Sequence, residues 1–154
     1  MKRRRRYRDP GPRFLASTCQ VRVRFQEVDA LQVVWHGHYL TYLEEGRNAF
    51  GREYGFGYQD VLAAGYVAPL VHVELDYFKP AHFDQVLTIE TRMHLIEGAS
   101  ILFTYSIRDE EAGVQLAEAR SDQVFTDLEG NLVLTRPAFQ AALFAGWEQQ
   151  LQGS

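Results

Sequence analysis

The sequence contains one cysteine, Cys19, and no apolar run near the roughly 18 residues that a membrane helix needs. A single thiol cannot close a disulfide within the chain, and it leaves no paired cysteines for a CxxC redox motif or a zinc ribbon. The first residues, MKRRRRYRDPGPRF, are charged but lack the apolar stretch of a secretory signal. We therefore expect a soluble cytoplasmic protein without a membrane partner.

Charge is unevenly distributed along the 154 residues. Residues 1–14 hold seven Lys/Arg and one Asp, which leaves nine basic and nineteen acidic residues in the rest of the chain, a formal charge of −10. The length fits one domain. We expect a basic, disordered tail over residues 1–14 and a single domain over residues 15–154. Because that domain is acidic, its charge argues against a nucleic-acid partner.

Hydrophobic periodicity predicts a strand followed by a long helix. Val21, Val23 and Phe25 alternate with polar residues, which indicates a strand with one buried face. Over residues 37–54 the apolar side chains recur at three- and four-residue steps, and Gly55 follows as a C-cap. This pattern predicts a helix of about five turns.

Further strands and two short helices are expected in the rest of the chain. Alternation predicts strands at 70–78, 86–96, 100–108 and 114–127, and the short turns at 97–99 and 109–113 favour antiparallel hairpins. A short helix is expected near residues 58–65 and another after residue 137. One helix on one sheet is an α+β fold. The uncovered edges of such a sheet favour dimerisation by sheet extension.

Residues 25–47, FQEVDALQVVWHGHYLTYLEEGR, carry a family resemblance. They are similar to the opening motif of the hotdog-fold acyl-CoA thioesterases of the 4-hydroxybenzoyl-CoA thioesterase family, roughly Y-x-D-T-D-x-x-G-V-V-Y-H-x-x-Y-L-x-Y-x-E-x-x-R. The matching positions are Asp29, Val33, Val34, His36, Tyr39, Leu40, Tyr42, Glu44 and Arg47. The segments LDYFKPAHFDQVLTIET and ARSDQVFTD also resemble strands of this family, so the likeness spans about residues 19–136.

The resemblance implies a fold, an activity and an assembly. The fold would be a long central helix wrapped by a five- to six-stranded antiparallel sheet, with a short C-terminal helix. The activity would be hydrolysis of an acyl-CoA thioester without a cofactor, since CoA is part of the substrate. The family forms homodimers or dimers of dimers, so a homotetramer with its active site at a subunit interface is expected.

The site is expected in the link between the first strand and the long helix. Asp29 would attack the thioester carbonyl as a nucleophile or activate water as a general base. Free backbone N–H groups near His36 would stabilise the oxyanion, and the resemblance implies that His36 acts chiefly through its backbone amide. We expect Gly37, Tyr39 and Val73 to contact the substrate.

The sequence departs from the family motif in three places. Gln32 replaces the family's glycine, so a backbone conformation that glycine adopts easily must be reached without it. Glu27 replaces an aspartate, and the turn IEGAS lacks the basic residues with which some relatives bind CoA phosphates. The cations left for this task within the sheet region are Lys79, Arg92, Arg108 and Arg120, with the N-terminal arginines of a neighbouring subunit as a further hypothesis.

Simpler interpretations of these residues remain open. Asp29 can be a turn or capping acid. His36 and His38 can be metal ligands with a nearby carboxylate, but only if the segment is extended there. Glu44 has Arg47 three residues further on, which favours an ion pair over a catalytic role.

Two other functions are consistent with the sequence. An enoyl-CoA hydratase on the same fold would use both the Asp and the His side chain, although here six residues separate Asp29 from His36 and the Asn-Pro of that motif is missing. A non-catalytic module that binds acyl thioesters is the other alternative, favoured by Gln32 but not by the presence of the acid.

Overall fold

The structure, a computed structural model, describes residues 10–151, so most of the predicted basic tail lies outside the described residues. In chain order the elements are β1 (Phe14–Arg22), a 3-10 helix (Phe25–Glu27), α1 (His38–Tyr54), α2 (Tyr58–Ala63), β2 (Tyr66–Val67), β3 (Leu70–Tyr77), β4 (Val86–His94), β5 (Ser100–Asp109), β6 (Gln115–Val124), β7 (Thr126–Asp127) and α3 (Ala138–Leu151). None of the described helices combines the length and the apolar character required to cross a bilayer.

The main sheet has five antiparallel strands in the order β1-β4-β5-β6-β3, and β2 pairs with β7 in a separate ribbon. This confirms the α+β prediction and the two hairpins β4–β5 and β5–β6. The position of β3 does not follow from the turns, because β3 pairs with β6 and not with its chain neighbour β4. As a result β3 forms one edge of the sheet and β1 the other.

Helix α1 packs on one face of this sheet because its apolar side chains share one face of the helix. The buried positions of α1 are Tyr39, Tyr42, Leu43, Gly46, Phe50 and Gly51. Gly46 permits a close approach to β4, since a Cβ there would lie 2.3 Å from Thr91 Oγ1. The helix ends at the predicted C-cap: Gly55 has a φ of 67° and donates its N–H to Gly51 O.

Aromatic side chains fix α3 against the C-terminal end of α1. Trp147 of α3 is buried, with 7% of its surface exposed. Its ring lies 5.6 Å from the ring of Tyr54, 6.1 Å from that of Phe56 and 6.3 Å from that of Phe50. The predicted C-terminal helix is therefore part of the core.

The prediction that the first strand extends through Phe25 with Phe25 buried is wrong. β1 ends at Arg22, opposite Val86 at the start of β4. Val23 still donates to Gln85 O, but the chain then turns into the 3-10 helix and leaves Phe25 76% exposed. Alternation along one segment does not reveal that the neighbouring strand has ended.

Candidate active site

The link between β1 and α1 begins with a narrow loop that a bridge between Val28 and Val34 closes. Within the loop, Asp29 N–H donates to Val33 O at 2.9 Å, and Asp29 O accepts from Gln32 N at 2.9 Å. The Asp29 carboxylate accepts from Leu31 N–H at 2.8 Å through Oδ1. Asp29 thus stabilises its own turn and does not cap α1. Within the described part of the chain, Oδ2 accepts no hydrogen bond, so this oxygen is available for chemistry.

Gln32 adopts the conformation that its place in the family motif implies. Its φ is 64°, in the left-handed region. A tight turn followed by one left-handed residue is a common three-residue hairpin loop, and glycine is preferred at the left-handed position. The loop therefore forms without glycine, at the cost of a strained backbone at Gln32.

We expect Gln32→Gly to raise the free energy of unfolding by about 0.5 kcal/mol. Relief of the left-handed strain gains about 1 kcal/mol. This exceeds the free-energy cost of the conformational entropy that glycine adds to the unfolded chain. Gln32→Ala is the matched control: it removes the same side chain but keeps Cβ, so it should give no gain. Urea unfolding of the three proteins measures the difference. Equal stabilisation by both variants would mean that the side chain, and not the backbone, causes the strain.

A buried carboxylate holds the loop against α1. Glu27 is 3% exposed and accepts hydrogen bonds from Arg24 N–H at 2.8 Å and from the Tyr42 hydroxyl at 3.1 Å. The Arg24 guanidinium lies 3.2 Å from its other oxygen. Burial opposes ionisation, but these hydrogen bonds outweigh it and lower the pKa of Glu27. Burial and the neighbouring Glu27 in turn raise the pKa of Tyr42 far above its usual value.

The start of α1 is organised by the Trp35 ring. The indole lies over Gly37, where a Cβ would be only 2.1 Å from a ring carbon. It also contacts the rings of His36 and His38, at centroid distances of 4.8 Å and 5.5 Å. A larger side chain at position 37 would therefore have to displace the Trp35 ring.

At the start of α1, two backbone carbonyls accept hydrogen bonds, whereas two backbone amides donate none among the described residues. Trp35 O accepts from His38 N at 2.9 Å, and His36 O accepts from the Tyr77 hydroxyl at 2.8 Å. A trans peptide directs its N–H opposite to its C=O. The N–H groups of His36 and Gly37 therefore point away from these anchors, and among the described residues neither has an acceptor. Paired N–H donors at a helix N-terminus suit a developing oxyanion.

A cavity of about 270 Å³ opens beside this helix start. Its lining consists of Val34, His36, Tyr39, Tyr77, Phe78, Lys79 and Pro80. Within a single chain, the lining of this cavity does not include Asp29, Gly37 or Val73.

The other two predicted substrate contacts have structural partners of their own. Buried Tyr39 forms one wall of the cavity and accepts from Ala81 N at 3.2 Å through its hydroxyl. Val73 lies on β3 opposite Ser121, half-buried against the core. The structure therefore gathers His36 and Tyr39 at the cavity, while Val73 lies further along β3.

The expected phosphate-binding cations are divided between two places. Lys79 lines the cavity beside His36. Arg92, Arg108 and Arg120 instead line a depression of about 470 Å³ on the sheet face opposite α1, together with the acidic side chains of Glu74, Asp76, Glu90 and Glu118. Of these four cations, only Lys79 is therefore placed to act at the helix start.

The contacts bear on two of the simpler interpretations. Glu44 and Arg47 form the predicted ion pair at 3.3 Å, and Arg47 also donates to the Tyr105 hydroxyl at 3.1 Å. The rings of His36 and His38 both pack on Trp35, as described above. Among the described residues, no three His, Cys, Asp or Glu side chains are arranged to hold a metal ion.

Tyr77 is one residue of the candidate site that the sequence analysis missed. Its place at the end of an alternating strand gives no sign that its hydroxyl reaches His36, 41 residues earlier in the chain. The only signal is an aromatic residue next to the segment Phe78-Lys79-Pro80, which also lines the cavity.

Comparisons with known proteins agree on one family. Residues 23–144 match the model of the thioesterase-like superfamily. The chain is 30% identical over 113 residues to the putative acyl-CoA thioesterase YneP of Bacillus subtilis, covering 73% of this chain and 81% of YneP. It is 30% identical over 110 residues to the long-chain acyl-CoA thioesterase FadM of Escherichia coli, covering 71% of this chain and 83% of FadM. Its fold also resembles a crystal structure of 4-hydroxybenzoyl CoA thioesterase complexed with 4-hydroxybenzoyl CoA, with a TM-score of 0.72, 25% identity and coverage of 83% and 97% of the two chains.

Proposed function

Because this chain belongs to the thioesterase-like superfamily, we propose that it is an acyl-CoA thioesterase whose active site lies at the link between β1 and α1. The observation that carries the proposal is the pair of backbone amides at His36 and Gly37, which lack an acceptor among the described residues. The carbonyls of the same two peptides accept hydrogen bonds and so orient these amides, next to the loop that contains Asp29. The relatives named above support the substrate class, and the cavity beside His36 supports the position of the carbonyl.

Asp29 begins the reaction in either of two ways. As a nucleophile, a carboxylate oxygen bonds to the thioester carbon while the carbonyl electrons move to oxygen. The C–S bond then breaks, CoA leaves as the thiolate, and water hydrolyses the mixed anhydride to release the acid. As a general base, Asp29 accepts a proton from the water that attacks the same carbon; the tetrahedral intermediate then collapses, the C–S bond breaks and CoA leaves as the thiolate.

The amides of His36 and Gly37 stabilise the oxyanion in both routes. Loss of one such donor costs on the order of 10²- to 10³-fold in rate in other hydrolases. Lys79 supplies positive charge at the cavity, where it attracts the anionic groups of CoA to an otherwise acidic domain.

Release of free CoA from a thioester panel tests the proposal. The panel contains acetyl-, hexanoyl-, palmitoyl-, benzoyl- and 4-hydroxybenzoyl-CoA, which separates short aliphatic, long aliphatic and aromatic acyl groups. Turnover of at least one ester is expected, and the preferred acyl group defines the substrate. Absence of turnover on every ester would contradict the proposal.

The assembly that we propose is a homodimer formed through β3. This strand forms a sheet edge, and its side chains Leu70, Val71 and Tyr77 are about half exposed. Such an edge is normally covered. Two antiparallel copies with Val73 opposite Val73 place His72 opposite Glu74 of the second copy and Val71 opposite Leu75. Registers centred on position 74 or 75 instead bring acidic side chains opposite each other, which is unfavourable.

A cysteine at the centre of this register should cross-link the two copies. In a Cys19→Ser background, which removes the only native thiol, Val73→Cys is expected to form a disulfide-linked dimer under mild oxidation. Directly opposed residues have Cβ atoms about 4.5–5.5 Å apart, close to disulfide geometry. Non-reducing gel electrophoresis measures the covalent dimer.

Leu75→Cys is the matched control on the same face of β3. In the proposed register its two copies are offset by about four residues, roughly 13 Å along the strand, and cannot form a disulfide with each other. Cross-linking at 75 without cross-linking at 73 would identify a different register. A monomer by sedimentation would exclude this dimer.

A further inference from the structure

Tyr77 connects the edge strand β3 to the proposed oxyanion site. Its hydroxyl donates to His36 O at 2.8 Å. Its ring meets the ring of buried Tyr39 edge-on, at a centroid distance of 4.9 Å and an angle of 87°. The ring contact and the hydrogen bond are separate interactions, so the hydroxyl can be removed without removing the ring.

The hydrogen bond acts on the peptide that carries one of the two oxyanion donors. His36 C=O and Gly37 N–H belong to the same planar unit and point in opposite directions. The Tyr77 hydroxyl therefore fixes the direction of Gly37 N–H. Donation to the carbonyl also polarises the peptide and strengthens its N–H as a donor.

No other described group performs this task at the His36 carbonyl. The neighbouring peptide is oriented by a local contact, from His38 N–H to Trp35 O. The His36 carbonyl precedes α1 and accepts only from Tyr77 among the described residues. Without that bond, no hydrogen bond among the described residues holds the His36 carbonyl.

We infer that Tyr77 is a positioning residue, whose hydroxyl orients the Gly37 amide toward the oxyanion of the thioester reaction. The inference rests on the proposed function. Partial burial raises the pKa of Tyr77, so the hydroxyl keeps its proton and remains a donor across the neutral pH range.

Tyr77→Phe tests this role because it keeps the ring contact with Tyr39. With the preferred ester of the wild type, kcat is expected to fall about tenfold while KM changes less than twofold, since the lost orientation matters only when charge develops on the oxygen. A CoA trifluoromethyl ketone, whose hydrate mimics the tetrahedral intermediate, should bind about tenfold more weakly. A CoA thioether, which mimics the ground state, should bind equally well.

Tyr58→Phe is the control, because Tyr58 lies on α2 and is 67% exposed. It should leave kcat, KM and both inhibition constants unchanged. An active wild type with an unchanged kcat in Tyr77→Phe would overturn the role of Tyr77 alone. Equal losses of affinity for the ketone and the thioether would also overturn that role, as would a loss of activity accompanied by a lowered melting temperature. A wild type inactive on the whole panel would overturn the proposed function and this inference together.

Discussion

Replacing Asp29 with asparagine is expected to lower kcat for thioester hydrolysis by about 10²- to 10⁴-fold, the range that a general base or nucleophile contributes. An amide neither attacks the carbonyl carbon nor accepts a proton from water at neutral pH. The asparagine oxygen still accepts from Leu31 N–H, as Oδ1 of Asp29 does, so the turn and the melting temperature should be preserved. Free CoA release measures the loss of activity.

His36→Ala separates a thioesterase from a hydratase when free CoA release and the hydration of an enoyl-CoA are measured side by side. The variant removes the imidazole and keeps the backbone amide, so thioester hydrolysis should weaken but persist. A hydratase that uses the His36 side chain for acid–base work would lose its activity almost entirely.

Full thioesterase activity in Asp29→Asn would contradict the catalytic role of Asp29 and leave it as a turn residue.

Replacing Glu27 with alanine is expected to lower the free energy of unfolding by about 2–4 kcal/mol. The carboxylate is almost completely buried, and its removal leaves Arg24 N–H and the Tyr42 hydroxyl without their acceptor. Glu27→Gln is the control: it keeps an oxygen for these donors and should cost about 1 kcal/mol. Urea unfolding measures both. Equal effects of the two variants would show that the charge, and not the acceptor, holds the loop.

The lowered pKa of Glu27 also predicts the direction of its pH dependence. A carboxyl group whose pKa is lower in the folded chain stabilises the fold above its unfolded pKa, near the ordinary value of 4.5, and this contribution disappears as the pH falls through the folded pKa. The wild type should therefore lose more stability than Glu27→Ala on acidification below about pH 4.5. Parallel curves for the two proteins would contradict this assignment.

Local patterns in the sequence predicted the elements of the fold well. The three- and four-residue steps located α1 to within one residue of its start, because a helix is determined by neighbours along the chain. Short turns located the hairpins between β4, β5 and β6 for the same reason. The exposure of Phe25 and the place of β3 beside β6 were not predictable in this way, since both depend on which strands meet across the sheet.

The residues of the candidate site also fall into two groups: those that local sequence patterns predicted and those that depend on distant parts of the chain. The motif located Asp29, Gln32 and His36 in one link, and the left-handed φ of Gln32 follows from the glycine that it replaces. The anchoring of His36 O by Tyr77 was invisible, because it joins residues 41 positions apart. The buried carboxylate of Glu27 was also missed, since its acceptor role requires Tyr42 on the other side of the loop.

The two tryptophans of the chain give it two optical probes at well-separated places. Trp147 is buried among aromatic rings at the C-terminal end of α1. Trp35 is 48% exposed and lies on Gly37 and the two histidines at the start of α1. A helix of 17 residues separates them by about 25 Å. The emission of Trp35 therefore senses solvent and the two neighbouring histidine rings at the start of α1, while that of Trp147 follows the integrity of the core.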